Sequence, residues 1–211
     1  MCVGKTTIGR DLAKQLGRTF YDLDWYIEER FHTKVSAIFA EKGEEHFRDL
    51  ERRMLHEVAA FENVVVSCGG GTPCFFDNMD YMNKVGNVFY LKASLETILQ
   101  HLAMSRGNRP LLKDKSPEEL RTFVTEQLAQ REPFYAKAQH VVNVDVLDSF
   151  DKISLVVDNI CSLIDEWLIN QDISTEVSNL ARTGWIIVQG EFNQACLNCW
   201  AAADDVNKNP C

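Results

Sequence analysis

The chain opens Met1-Cys2-Val3-Gly4-Lys5-Thr6-Thr7. Gly4-Lys5-Thr6 is the closing part of the pattern G-x-x-x-x-G-K-[ST], in which a glycine-rich loop leaves a strand, cradles phosphates and enters a helix. No other feature constrains the fold as tightly. It demands a helix immediately after Lys5, and a parallel sheet whose strands end at the ligand. Backbone N–H groups of such a loop point at phosphate oxygens. Lys5 can reach the β- and γ-phosphates, and the Thr6 hydroxyl can ligate Mg²⁺. The first glycine of the pattern would stand one residue before Met1, and the launching strand further upstream. The front edge of the loop is therefore expected to be missing. A chance Gly-Lys-Thr at a helix start is the bland alternative, and the rest of the chain bears on it.

Short apolar runs alternate with helical patterns over residues 1–168. Ile8, Leu12 and Leu16 share one face of a helix expected over Thr6–Gln15, and Thr19-Phe20-Tyr21 reads as a strand ending at Asp22. Leu50, Met54, Leu55, Val58 and Phe61 recur at helical spacing. Val64-Val65-Val66, Val88-Phe89-Tyr90-Leu91 and His140–Val144 read as buried strands. Ser94 starts a helix carrying Leu95, Ile98, Leu99 and Leu102. Ser116-Pro117-Glu118-Glu119 predicts a capping box with proline at the first helical position. Phe150 to Leu168 reads as a closing amphipathic helix. Alternation of this kind predicts an α/β fold, a parallel sheet flanked by helices on both faces.

Residues 169–211 lack a sustained period and are expected to be an extension of unknown role, partly disordered near Asp204–Pro210. Trp185-Ile186-Ile187-Val188 reads as a strand without an evident partner. Cys196 and Cys199 form one C-x-x-C with no second pair to complete a zinc site, so free thiols are the simpler reading of the seven cysteines. A net charge of −9 argues against general nucleic-acid binding. No apolar run approaches the roughly 20 residues of a membrane helix. A cytoplasmic monomer acting on small molecules is the expectation.

Five further clusters carry chemistry. Asp22-Leu23-Asp24 follows a strand by about one βα unit after the loop. On an extended segment both carboxylates would point the same way, one holding Mg²⁺ through water and the other accepting a hydroxyl proton. Alone, the pair reads as well as a helix N-cap. In Gly43-Glu44-Glu45-His46-Phe47-Arg48-Asp49-Leu50-Glu51, Arg48 can clamp a carboxylate with Glu51 orienting it, or simply sit on a charged helix. Gly69-Gly70-Gly71 directly after a strand lets backbone approach a ligand. Arg106-Gly107-Asn108-Arg109-Pro110-Leu111-Leu112 can close over a nucleotide and bring Arg109 to the transferred phosphoryl. Arg131-Glu132-Pro133-Phe134-Tyr135 offers a second carboxylate clamp, or an arginine favoured by a helix terminus.

In this order, G-K-T-T, D-L-D, G-E-x-x-F-R-x-x-E, G-G-G, R-P-L-L and R-x-P-x-Y resemble the shikimate kinase family over residues 1–168. The resemblance implies a P-loop kinase of the nucleoside-monophosphate-kinase type, with strand order 2-3-1-4-5 and its first strand missing here. It implies transfer of the ATP γ-phosphoryl to the 3-hydroxyl of shikimate, in the chorismate route to aromatic amino acids. Cys2, Val3, Gly4, Lys5, Thr6 and Thr7 would cradle the phosphates, with Thr6 and Asp22 at Mg²⁺. Asp24 would hold the shikimate hydroxyls and act as base. Arg48 and Arg131 would grip the carboxylate, and Gly70 and Gly71 would offer backbone contacts. Lys5 and Arg109 would neutralise the transferred phosphoryl, with Arg106 near adenine.

Departures from the family pattern sharpen this reading. Cys2 stands where the family usually has a loop glycine. Met1 stands where the loop often has a methionine, so Met1 is expected to be internal to a longer reading frame. A fragment that binds without catalysis is one alternative. A related small-molecule kinase such as gluconate kinase is another, and the paired arginines with Asp22-Leu23-Asp24 argue against it. A further idea is that Trp185–Val188 replaces the missing strand.

Overall fold

The computed structural model describes residues 4–104, 116–145, 150–171 and 185–190. Helix α1 (Lys5–Leu16) follows Gly4 directly, as the phosphate-loop pattern requires. Strand β1 (Thr19–Asp22) leads into α2 (Leu23–Phe31). Helix α3 (Val35–Val58) is longer than its apolar spacing announced and is kinked at Gly43, with Phe61 beyond its end. Strand β2 (Val64–Cys68) passes through the glycine run into a 3₁₀ turn (Thr72–Cys74). The remaining elements are α4 (Asn78–Val85), β3 (Gly86–Lys92), α5 (Leu95–Met104), α6 (Pro117–Tyr135), β4 (His140–Asn143), α7 (Phe150–Gln171) and β5 (Trp185–Gly190). Helix α4 is an addition to the sequence reading. Ser116 and Glu119 form the expected capping box at α6.

The sheet has the order β1-β2-β5-β3-β4 and every pairing is parallel. Its faces follow from the period of two along each strand. Val65 joins a core with Ile8 and Leu12 of α1, Phe89 and Leu91 of β3, Leu120 and Val124 of α6, and Val157 and Ile160 of α7. Val64 and Val66 face the other way, into a core with Leu23 and Ile27 of α2, Phe47, Leu50 and Leu55 of α3, and Met79 and Met82 of α4. Strands buried on both faces are what parallel sheets require.

Trp185–Gly190, a strand with no evident partner in the sequence reading beyond the idea that it replaces the missing one, has two partners. Val65 to Cys68 pair with Ile186 to Gln189, and Gly86 to Leu91 pair with Trp185 to Gly190. Strand β5 thus occupies the central place that the family order gives to its first strand. A parallel crossover needs a dozen or more residues between strands. The chain between β4 and β5 exceeds that length. The carboxyl end of β5 points the same way as those of β1 and β2, toward the phosphate loop and the glycine run.

Candidate active site

The site is built at the carboxyl ends of β1 and β2, where α1 begins. Gly4 occupies the N-cap position of α1 and supplies no side chain to cap it. The first N–H groups of the helix thus take no side-chain cap from Gly4, and such groups are the ones that bind phosphate in this kind of loop. Lys5 lies 7% exposed at this end. The Thr6 hydroxyl donates to Oδ2 of Asp22 at 3.0 Å.

Asp22 does two things at once. Its Oδ2 faces Thr6, while Oδ1 accepts from the backbone N–H groups of Asp24 at 3.2 Å and Trp25 at 3.5 Å, capping α2. This corrects the expectation that Asp22-Leu23-Asp24 is extended. The chain turns into a helix at Leu23, because an aspartate at the N-cap satisfies orphan donors of the first turn. Asp24 sits in that first turn, and Oδ1 of its carboxylate is fully enclosed with no hydrogen-bond partner. Burial pushes its pKa up to about 8; the charges of Asp22 and Glu51 add to the rise, and Lys5 opposes it. Two carboxylates separated by one residue thus divide: both oxygens of Asp22 are hydrogen-bonded, and the enclosed Oδ1 of Asp24 is not.

Arg48 lies on α3 after the kink, 3% exposed. Its Nη1 donates to Oε2 of Glu51 at 2.9 Å, and its Nε and Nη2 both donate to Oε1 of Glu44, at 3.2 and 3.0 Å. The guanidinium also stacks on Phe75, 4.2 Å from the ring centroid. Glu51 accepts at Oε1 from the Thr72 hydroxyl at 2.5 Å, and Asn78 donates to the carbonyl of Thr72 at 2.8 Å. These bonds tie Arg48 to the turn after the glycines. Gly71 is required there: a Cβ at this position would lie 2.5–2.7 Å from the Arg48 guanidinium. The carbonyl of Gly70 accepts from the Tyr135 hydroxyl at 2.6 Å.

Glu44, Arg48, Cys74, Phe75, Gln127 and Arg131 line, with their neighbours, one cavity of about 280 Å³. Arg48 and Arg131 come from helices far apart in sequence and meet at one pocket. Thr72, Asn78 and Tyr135 complete the framework. Tyr135 lay in view within R-x-P-x-Y, whereas Thr72 and Asn78 carry no local signal. Cys2, Val3, Arg106 and Arg109 lie outside the described residues, as do Cys196 and Cys199.

Three comparisons bear on this geometry. The solved structure of shikimate kinase from Bacteroides thetaiotaomicron superposes with a TM-score of 0.75 at 46% identity, covering 78% of this chain and 94% of that one. That of shikimate kinase from Acinetobacter baumannii in complex with shikimate gives 0.67 at 32% identity, over 81% and 90% of the two chains. In sequence, the shikimate kinase of Parabacteroides distasonis is 57% identical over 138 residues, 65% of this chain and 80% of that protein. The shikimate kinase of Phocaeicola vulgatus is 51% identical over 160 residues, 76% and 91% respectively. The family model described as shikimate kinase matches residues 1–162. With the phosphate loop, the Asp22–Asp24 turn and the arginine pocket all in one parallel α/β fold, the chain belongs to the shikimate kinase family.

Proposed function

We propose that the protein transfers the γ-phosphoryl group of ATP to the 3-hydroxyl of shikimate, giving shikimate 3-phosphate and ADP. The observation that carries this reading is the pairing of two opposed chemistries. Arg48 and Arg131 share one small cavity, and Asp24 keeps an enclosed carboxylate oxygen free of other bonds, with a pKa of about 8. A small anionic polyol needs cations at one end and a proton acceptor at the other.

Arg48 and Arg131 receive the carboxylate through charge-assisted bonds. Gly70 and Gly71 let the ring hydroxyls approach backbone, with Gly70 braced by Tyr135. Asp24 orients the 3-hydroxyl and accepts its proton as the oxygen attacks phosphorus. A carboxylate raised to a pKa of about 8 holds the proton firmly once it has taken it, and its ionised fraction, the form that acts as base, grows as pH rises toward 8. Backbone N–H groups at the start of α1 hold the phosphates, and Lys5 offsets charge on the γ-phosphoryl. Arg109, which opens the R-P-L-L motif, is assigned to the same charge, and Arg106, three residues before it, to the adenine. Cys2, Val3 and Thr7 are assigned to the phosphate loop by their place beside Gly4-Lys5-Thr6. Most of the acceleration in phosphoryl transfer comes from such positioning and neutralisation.

Mg²⁺ fits the residues present. The Thr6 hydroxyl and the Asp22 carboxylate are hard oxygen donors 3.0 Å apart, and Mg²⁺ favours one or two protein oxygens plus waters and phosphates. When bound it would neutralise the phosphates. Action as a monomer in the cytoplasm completes the proposal. The test is ADP release measured with ATP, Mg²⁺ and either shikimate or gluconate. Shikimate-dependent turnover is expected; turnover with gluconate alone, or with neither, overturns the reading.

A further inference from the structure

The two glutamates on Arg48 are not equivalent. Glu51 is 1% exposed and is itself fixed by Thr72. Glu44 has a side chain 51% exposed and takes both Nε and Nη2 of the fork on one oxygen. It stands on the wall of the cavity that holds Arg48 and Arg131. It also follows Gly43, whose φ of 79° and ψ of 174° interrupt α3. Only glycine adopts that conformation cheaply, so the helix is broken immediately before Glu44.

We propose that Glu44 is an internal competitor for the substrate carboxylate: it holds the side-on fork of Arg48 in the empty site and yields when shikimate enters. This rests on the reading that Arg48 binds that carboxylate. A buried guanidinium stripped of its counter-ions is costly, so a fork built to receive an anion is kept occupied by one. Exchange of one carboxylate for another keeps the charge around Arg48 constant. Glu51 is too buried to leave. Glu44 is exposed enough to return to water at little cost, and the break at Gly43 gives its backbone room to turn.

The test compares the wild-type chain with E44Q, E44A, E44D and R48K, by steady-state kinetics in shikimate and by calorimetric titration with shikimate. Removing the competitor should lower the shikimate KM and Kd by about 1.5- to fivefold, the range of a partly exposed ion pair. E44D, charged but shorter, should fall between. Thermal melting of each variant reports whether the fold is intact. A shikimate KM that rises or stays unchanged in both E44Q and E44A overturns the inference and makes Glu44 a brace for Arg48. R48K separates the two levels of the argument. If it leaves the shikimate KM at the wild-type value, the assignment of Arg48 fails first, and this inference with it.

Discussion

Strand β5 is the element on which the sheet depends most. Ile187 pairs with Val66 of β2 on one side and Val88 of β3 on the other. Both neighbours are fully buried. Proline at position 187 would remove a backbone donor in mid-sheet, where proline is found essentially only on edge strands. The orphaned carbonyl on the adjoining strand costs about 1–3 kcal/mol, and the ring adds steric displacement of the ladder. A total of about 3 kcal/mol corresponds to a drop in Tm of roughly 6–12 °C for a chain of this size. Thermal unfolding followed by circular dichroism measures it, with Leu155→Ala as a surface control, since Leu155 is 67% exposed on α7. The strand touches α1 as well as β2 and β3, so ATP affinity should weaken in the same variant. A Tm within about 2 °C of wild type would refute the claim that residues 185–190 form the central strand.

Three more expectations concern the site. Asp24 binds a proton in the folded state up to a pH of about 8, whereas unfolded aspartate loses it near its ordinary value of 3.8. Folding stability therefore declines as pH rises between those values. Asp24→Asn should abolish turnover yet raise Tm, by an amount that grows from pH 5 to about pH 8 and then levels off; a pH-independent difference would count against the buried carboxylate. Gly71→Ala forces a Cβ against the Arg48 guanidinium; overpacking of this kind costs about 1–3 kcal/mol. Its shikimate KM should rise roughly five- to hundredfold with the KM for ATP unmoved, and equal changes in both would point to global damage. Tyr135→Phe deletes a buried 2.6 Å bond to the Gly70 carbonyl, worth about 1–2 kcal/mol. Chemical denaturation should show that loss, and calorimetry should show weaker shikimate binding.

Much of the site was legible because its chemistry is local. Gly4-Lys5-Thr6 predicts a helix start at Lys5, since the motif works through the N–H groups of that helix. Ser116 and Glu119 announce α6 for the same kind of reason: a capping box spans four residues. The Asp22-Leu23-Asp24 pair shows the limit. Its residue types were informative, but the N-cap reading accounts for one oxygen only: Asp22 caps α2 with Oδ1 and faces Thr6 with Oδ2. Helix α4 escaped notice because its pattern is short, and α3 was foreshortened because Gly43 interrupts its period.

From residue identity and spacing alone came the phosphate loop, the parallel α/β class, the two arginines and the family they resemble. These depend on interactions within a few residues, or on patterns that repeat along one element. Tertiary structure decided the rest. It set Asp24 apart from Asp22 by burying one and bonding the other, and it brought Arg131 of α6 to Arg48 of α3. It gave Arg48 one fixed and one exposed carboxylate partner. It also set Trp185–Gly190 between β2 and β3. A strand's own residues carry no address for its neighbours; pairing is settled by which edges remain open once the other elements have packed.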